Sequence, residues 1–337
     1  MEENKIISYK GFDENMQCRG FQYEVGKEYK MDGNIKCCER GFHACESPME
    51  VWDYYDMLTS RFAKVEQSGK IDKEDNSTKV CSSKIKISAE LKLADIIKLG
   101  VEWIKDVTSP SKVKATGELN DNGGNSAKIG SSGDFAKIGS SGNYAQIGSS
   151  GYSAKIGSSG DSAQIGSSGD SAKIGSSGDY AKIGSSGDSA QIGSSGDSAQ
   201  IGSSGDSAQI GSSGDSAQIG SSGDSAQIGS SGDYAQIGSS GYSAKIGSSG
   251  DSAKIGSSGD YAKIDSTGED SVVMCAGNKS IAKATVGSWI TLAEWKWNDK
   301  KKRDVPVCVK TEYVDGENIK ADTWYQLKNG KFVEVNE

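Results

Sequence analysis

The only histidine of the chain, His43, stands among thiols, in the run Cys37-Cys38-x4-His43-x-Cys45. Three thiolates and an imidazole are the donor set of a Cys3His zinc site. The spacing matches no two-residue knuckle, however, and adjacent residues on an extended chain point to opposite faces. A structural histidine at a strand-to-helix junction is therefore the expectation, with Cys37, Cys38, His43 and Cys45 as the alternative metal set. Thiol catalysis assisted by His43 would need an orienting acid, and none is identifiable from spacing. No cofactor is expected. The seven cysteines are odd in number, and no apolar leader follows a basic stretch. Both point to free thiols in a cytoplasm.

A second group of chemistry-bearing residues is Asp188, Asp197, Asp206, Asp215, Asp224 and Asp233, spaced nine apart with no lysine between 183 and 244. Coiled two units to a turn, they would place one charge per ~2.4 Å of axis. Duplex DNA carries one per ~1.7 Å. This suggests a DNA-mimic face, set against a plain solvated surface made by unit duplication. The same turns resemble the calcium nonapeptide G-G-x-G-x-D-x-U-x. Alignment on Ile156 puts Ala154 where the ligand aspartate belongs, so calcium is not expected.

These residues sit on a strict repeat. Isoleucine recurs every nine positions from Ile129 to Ile264, sixteen times, and alanine always precedes it by two. The unit reads G-S-S-G-D-S-A-Q/K-I. Ala and Ile alternate with polar residues, which predicts a short strand with one apolar face. Ile156, Ile165, Ile174, Ala154 and Ala163 exemplify the predicted core. The G-S-S-G-D stretch predicts a corner, with glycine supplying positive φ. Two units would close an 18-residue coil, and sixteen would make about eight coils stacked ~4.8 Å apart, with a squarer coil of more corners as the alternative that the sequence leaves open. One Ile and one Ala per nine ordered residues cannot hold a unit alone, so neighbours and end caps are required.

The predicted fold is mainly β. A nonapeptide-repeat β-solenoid occupies 124–284, with an α+β domain at 1–110, a linker at 111–123 and a β-hairpin cap at 285–337. In the first domain, strands are expected at 5–10, 21–30, 61–67 and 80–88. A helix should start at Ser47-Pro48 and reach Tyr55, and another should carry Leu93, Ile96, Ile97, Gly100, Val101 and Ile104. Asp315-Gly316 and Asn329-Gly330 read as hairpin turns.

Net charge is −8. It divides as −3, −4 and −1 over residues 1–123, 124–264 and 265–337, counted from the sequence. No part has the basic excess of a nucleic-acid binder, and no apolar run is long enough to span a membrane.

The stretches Y-K-G-F (9–12), C-R-G-F-Q-Y (18–23), G-F-H-A-C (41–45), Pro48 and Tyr54-Tyr55 carry a resemblance, as do G-S-W-I-T-L-A-E-W (287–295) and A-D-T-W-Y-Q-L (321–327). The chain resembles a family of uncharacterised proteins of phages, prophages and their Firmicute hosts, with pentapeptide-like repeats between such ends. The resemblance implies a mobile-element origin and a repeat fold, and no activity. The Y-K-G-F…G-F-H-A-C layout is also similar to the opening strands of ADP-ribosyltransferases.

The functional expectation is a non-enzymatic interaction protein of the host cytoplasm, binding an unknown host protein or associating with itself through its caps. The alternatives are a DNA mimic, a virion or surface adhesin, and a nucleotide sponge or small ADP-ribosyltransferase-like enzyme in residues 1–110.

Overall fold

The structure is a computed structural model that describes residues 5–74, 78–108 and 124–336. It divides into two compact units, Met1–Trp103 and Ile104–Glu337. The linker expected at 111–123 lies outside the described residues.

The first unit is an antiparallel sheet of five strands in the order Glu28–Lys30, Lys79–Leu91, Phe42–Cys45, Ile6–Phe12, Arg61–Lys73. Arg61–Lys73 also pairs with Lys79–Leu91, so the sheet closes on itself. Phe12, Phe42, Ala63, Val65, Ile85 and Ile87 fill the interior. Polar residues are buried among them as well, with Gln67 at the centre of a network that includes Ser8 and Ser82. The Gln67 amide donates to the carbonyls of Phe42 and Val80 and to Ser82 Oγ, and its oxygen accepts from Ser8. A network satisfied on both sides ties the barrel strands together.

The strand expected over 21–30 is split into Phe21–Gln22 and Glu28–Lys30, because the chain turns at Gly26 with φ 86°. The helix expected from Ser47-Pro48 to Tyr55 shrinks to a 3-10 turn, Met49–Asp53. The amides of Tyr54 and Tyr55 both return to the Val51 carbonyl. The chain then swings Tyr55 against Gly11, where an added Cβ would lie 2.3 Å from the ring. The second helix, Leu93–Thr108, forms as its apolar stripe requires, with Ile96, Ile97 and Val101 buried and Asp95 accepting from the Lys92 amide.

The second unit is a β-solenoid of two sheets, each of eleven strands. Successive repeats alternate between the sheets. The strand Gln200–Ser203 pairs in parallel with Lys182–Ser185 and Gln218–Ser221, in register residue for residue. The coil is therefore 18 residues, and sixteen repeats plus Val272–Cys275 and Ile281–Ala284 make about nine turns. Ile156, Ile165, Ile174, Ala154 and Ala163 all lie in the core.

The corners differ from expectation in one respect. Among the described residues, no repeat glycine has positive φ. The left-handed position falls on the residue after aspartate, such as Ser198, Ser207 or Tyr234 at φ 55–57°. Its amide donates to the backbone of the next coil, as Ser207 does to Asp224 at 2.8 Å. That bond compensates the ~1 kcal/mol strain of a left-handed L-residue. The second glycine of each corner serves space instead. A Cβ on Gly205 would sit 2.0 Å from the carbonyl oxygen of Gly187.

The C-terminal segment closes both sheets. Trp289–Asn298 adds in parallel to Val272–Cys275, and Arg303–Tyr313 folds back on it antiparallel. The hairpin Tyr325–Lys328 and Lys331–Glu334 finishes the other sheet. Asn329-Gly330 is its turn, with both φ positive. Asp315-Gly316 is not a two-residue hairpin turn. Asp315 Oδ1 instead accepts from the amides of Glu317, Asn318 and Ile319 and organises a longer loop. The Asn318 side-chain amide, which donates to Oδ2 at 2.7 Å, and then those backbone bonds hold its carboxyl down at about 2.

Candidate functional site

The aspartate run does not form one face. Because successive repeats alternate sheets, Asp188, Asp206 and Asp224 stack on one edge of the rod, and Asp197, Asp215 and Asp233 on the other. Each edge carries one carboxylate per ~4.8 Å, half the density expected from the sequence. Each carboxylate also has a local task. The Asp224 amide donates to Asp206 Oδ1 at 2.8 Å, and the Asp233 amide to Asp215 Oδ1 at 2.9 Å. Asn143 takes the same role under Asp161. Replacing all six by asparagine keeps the acceptor oxygen and removes repulsion between stacked charges. We expect thermal stability to rise by about 0.5 kcal/mol per neighbouring pair, with the gain shrinking in 1 M salt. A loss of stability would show that the ladder needs its charge.

The two sheets present the same chemistry and different exposure. In the sheet containing Gln200–Ser203, the outward columns are Gln or Lys and Gly. They are open along the strands from Lys128–Ser131 to Lys254–Ser257. Lys128, Lys182 and Lys254 are spread among five glutamines on this face. Its glycines, such as Gly166, Gly202 and Gly238, have no heavy atom within 4 Å of an added Cβ. On the other sheet the glycine column is buried, and Gln191 and Gln209 are only 7% and 3% exposed. The open sheet continues into the cap with an apolar patch of Val272, Met274, Trp289 and Tyr313, all exposed. Trp289 and Tyr313 are cross-strand partners with rings 5.1 Å apart.

The first unit holds a cavity of about 910 Å³. Tyr9, Lys10 and Gly11, Cys18 to Phe21, Gly41 to Cys45, and Tyr54-Tyr55 line it, so the N-terminal motifs converge on one space. Lys10 is buried, with Nζ donating to the His43 carbonyl at 3.1 Å and to Cys18 Sγ at 3.5 Å. Tyr55 Oη lies 2.9 Å from the same sulfur. Burial pushes the Lys10 ammonium below its usual range, partly offset by Cys18. Burial likewise raises the Tyr23 and Tyr55 hydroxyls, with Cys18 adding to both shifts.

The alternative metal set, Cys37, Cys38, His43 and Cys45, is not assembled. Among the described residues, no group of three or more His, Cys, Asp or Glu side chains is placed to hold a metal. Cys37 turns to Asp72, and Cys38 is exposed beside Glu74 and Lys79. His43 Nε2 accepts from the Cys38 amide at 3.0 Å, so its acceptor nitrogen holds the loop. Burial and then Lys10 keep the imidazole pKa low. Cys45 is buried, and burial raises its thiol to about 12, which makes it a poor nucleophile. Lys10, Cys18, Arg19 and Tyr55 escaped sequence reasoning because they lie up to 45 positions apart and match no spacing pattern. The one available signal was a lysine embedded in the apolar-flanked strand Ile6–Phe12.

A domain of unknown function, DUF7666, matches residues 6–99. No curated protein and no solved structure matches the chain. Among the described residues, no helix is long and apolar enough to cross a membrane.

Proposed function

We propose that the chain is a non-catalytic interaction protein of phage or prophage type that binds and neutralises a host protein in the cytoplasm through the open sheet of its rod. The observation that carries this reading is the contrast between the two sheets. The columns of Gln or Lys and of Gly are buried or half-buried on one sheet and exposed on the other.

Glycine in mid-strand costs sheet stability and is at home where another surface approaches closely. The bare columns form a flat, hydrogen-bonding surface, and the adjoining Trp289 and Tyr313 supply the aromatic anchors typical of binding hot spots. Eleven strands at ~4.8 Å give a face long enough for an interface above ~1,000 Å². The split aspartate edges do not favour the DNA-mimic alternative.

The test is a paired capture from host lysate with the full chain and with a Gly166→Glu, Gly202→Glu, Gly238→Glu variant. The open space around these positions leaves the fold intact, so the melting temperature should not move. The partner held by the parent chain should fall by about tenfold or more on the variant. Equal retention by both, or no specific partner for the parent, would overturn the reading.

A further inference from the structure

We propose that the cavity of the first unit binds a small aryl phosphomonoester, with the phosphate between Lys10 and Arg19 and the ring against Phe21, Tyr23 and Tyr29.

The charge pattern points to an anion. Lys10 is 5% exposed and has no carboxylate partner among the described residues. Two of its three donors go to a carbonyl and a thiol, and the ammonium also lies over the rings of Phe12 and Tyr23, 5.4 and 5.6 Å from their centroids, so its contacts are all to neutral groups. A buried ammonium is costly unless an anion pairs with it or it gives up its proton. Arg19 lies close enough to raise that cost, because its charge adds to the pressure on Lys10. Arg19 is exposed at the cavity and makes no ion pair or hydrogen bond among the described residues. It is held at φ 51°, a left-handed geometry that L-residues adopt at a cost. Two cations that have no carboxylate partner among the described residues, in one cavity, match a dianion.

The carboxylates nearby are already engaged. Asp13 Oδ1 accepts from the amides of Asn15 and Gln17, Asp56 Oδ1 from those of Leu58 and Thr59, and Glu39 pairs with Lys36. None is within reach of Lys10 or Arg19 as an ion-pair partner among the described residues.

The aromatic groups select what accompanies the anion. Phe21, Tyr23 and Tyr29 form an edge-to-face cluster with ring centroids 4.8–5.4 Å apart. Phe21 is 46% exposed at the cavity, and its apolar face is available to a ligand ring. Offset or edge-on packing of a flat ring on such a cluster contributes beyond simple burial. The cavity volume falls in the range of small-molecule sites.

The proposal is independent of the rod reading. Calorimetry on the full chain would use phenyl phosphate, inorganic phosphate and phenol as probes. Phenyl phosphate should bind at least about tenfold more tightly than either fragment. Arg19→Gln, on an exposed side chain, should weaken phenyl phosphate by about tenfold through loss of a charge-assisted bond. It should leave phenol binding unchanged. Phe21→Ser should reduce the preference for phenyl phosphate over inorganic phosphate. Lys10→Met should abolish binding, but Lys10 is buried and its loss could also disturb the fold, so Arg19→Gln and Phe21→Ser are the deciding variants. No saturable binding of phenyl phosphate at about 1 mM, equal binding of a fragment, or unchanged affinity in Arg19→Gln would each overturn the proposal. The Gly166→Glu, Gly202→Glu, Gly238→Glu variant should bind phenyl phosphate normally, which separates failure here from failure of the rod reading.

Discussion

Gly205→Ala should destabilise the rod by about 3 kcal/mol or more, while Gly202→Ala, three residues away, should be neutral or stabilising by about 0.5 kcal/mol. The two glycines look equivalent in sequence. A Cβ on Gly205 would lie 2.0 Å from the Gly187 carbonyl oxygen and 2.5 Å from its carbon. Both atoms are backbone, so relief requires the coils to part. Parting them breaks bonds on either side, such as Ser204 N to Ser185 O at 3.0 Å and Ser189 N to Asp206 O at 2.8 Å. A Cβ on Gly202 meets nothing within 4 Å and only reduces the freedom of the unfolded chain. Thermal unfolding of the two variants side by side decides the matter. Equal effects would mean that coil spacing does not depend on the corner glycine.

Ending the chain after Ala284 should convert a discrete rod into one that associates end to end. The deletion removes the strand Trp289–Asn298 from Val272–Cys275 and Tyr325–Lys328 from Ile281–Ala284. It frees backbone acceptors such as Ser271 O and Ala284 O, which now receive the amides of Trp289 and Asp322. It also uncovers Val273 and Ala282, now packed beneath Ile290, Leu292, Tyr325 and Leu327. An open parallel edge with an exposed core is a template for a second copy, and repeat arrays rely on end caps for solubility. Light scattering after size-exclusion should show a mass that grows with protein concentration. A stable monomer with unchanged melting temperature would show that the cap is dispensable.

The reach of the sequence can be judged on particular residues. The period of Ile129 to Ile264 was enough to predict stacked coils with Ile and Ala in the core, because each unit repeats one local problem with one solution, whereas the choice of two sheets over a squarer coil is made by each strand pairing with the one 18 residues away. Alternation in 288–297 and 305–314 was enough to predict the closing strands. Other features depend on which residues meet across the coil or across the barrel. The aspartate run reads as one line along the chain, yet an 18-residue coil deals it alternately to two edges. Corner glycines read as positive-φ residues, yet stacking assigns that geometry to Ser207 and its equivalents and leaves Gly205 to make room. The thiol and histidine run invites a metal, yet strand pairing sends Cys37, Cys38, His43 and Cys45 to different neighbours. Conversely, Lys10, Cys18 and Tyr55 share no pattern and come together only because Gly11 lets the Tyr55 ring lie against its strand. Periodicity is a property of neighbours along the chain, and the sequence carries it directly. Exposure of one sheet over the other, and the gathering of a buried lysine with its partners, arise from contacts between distant segments, and only folding brings those into being.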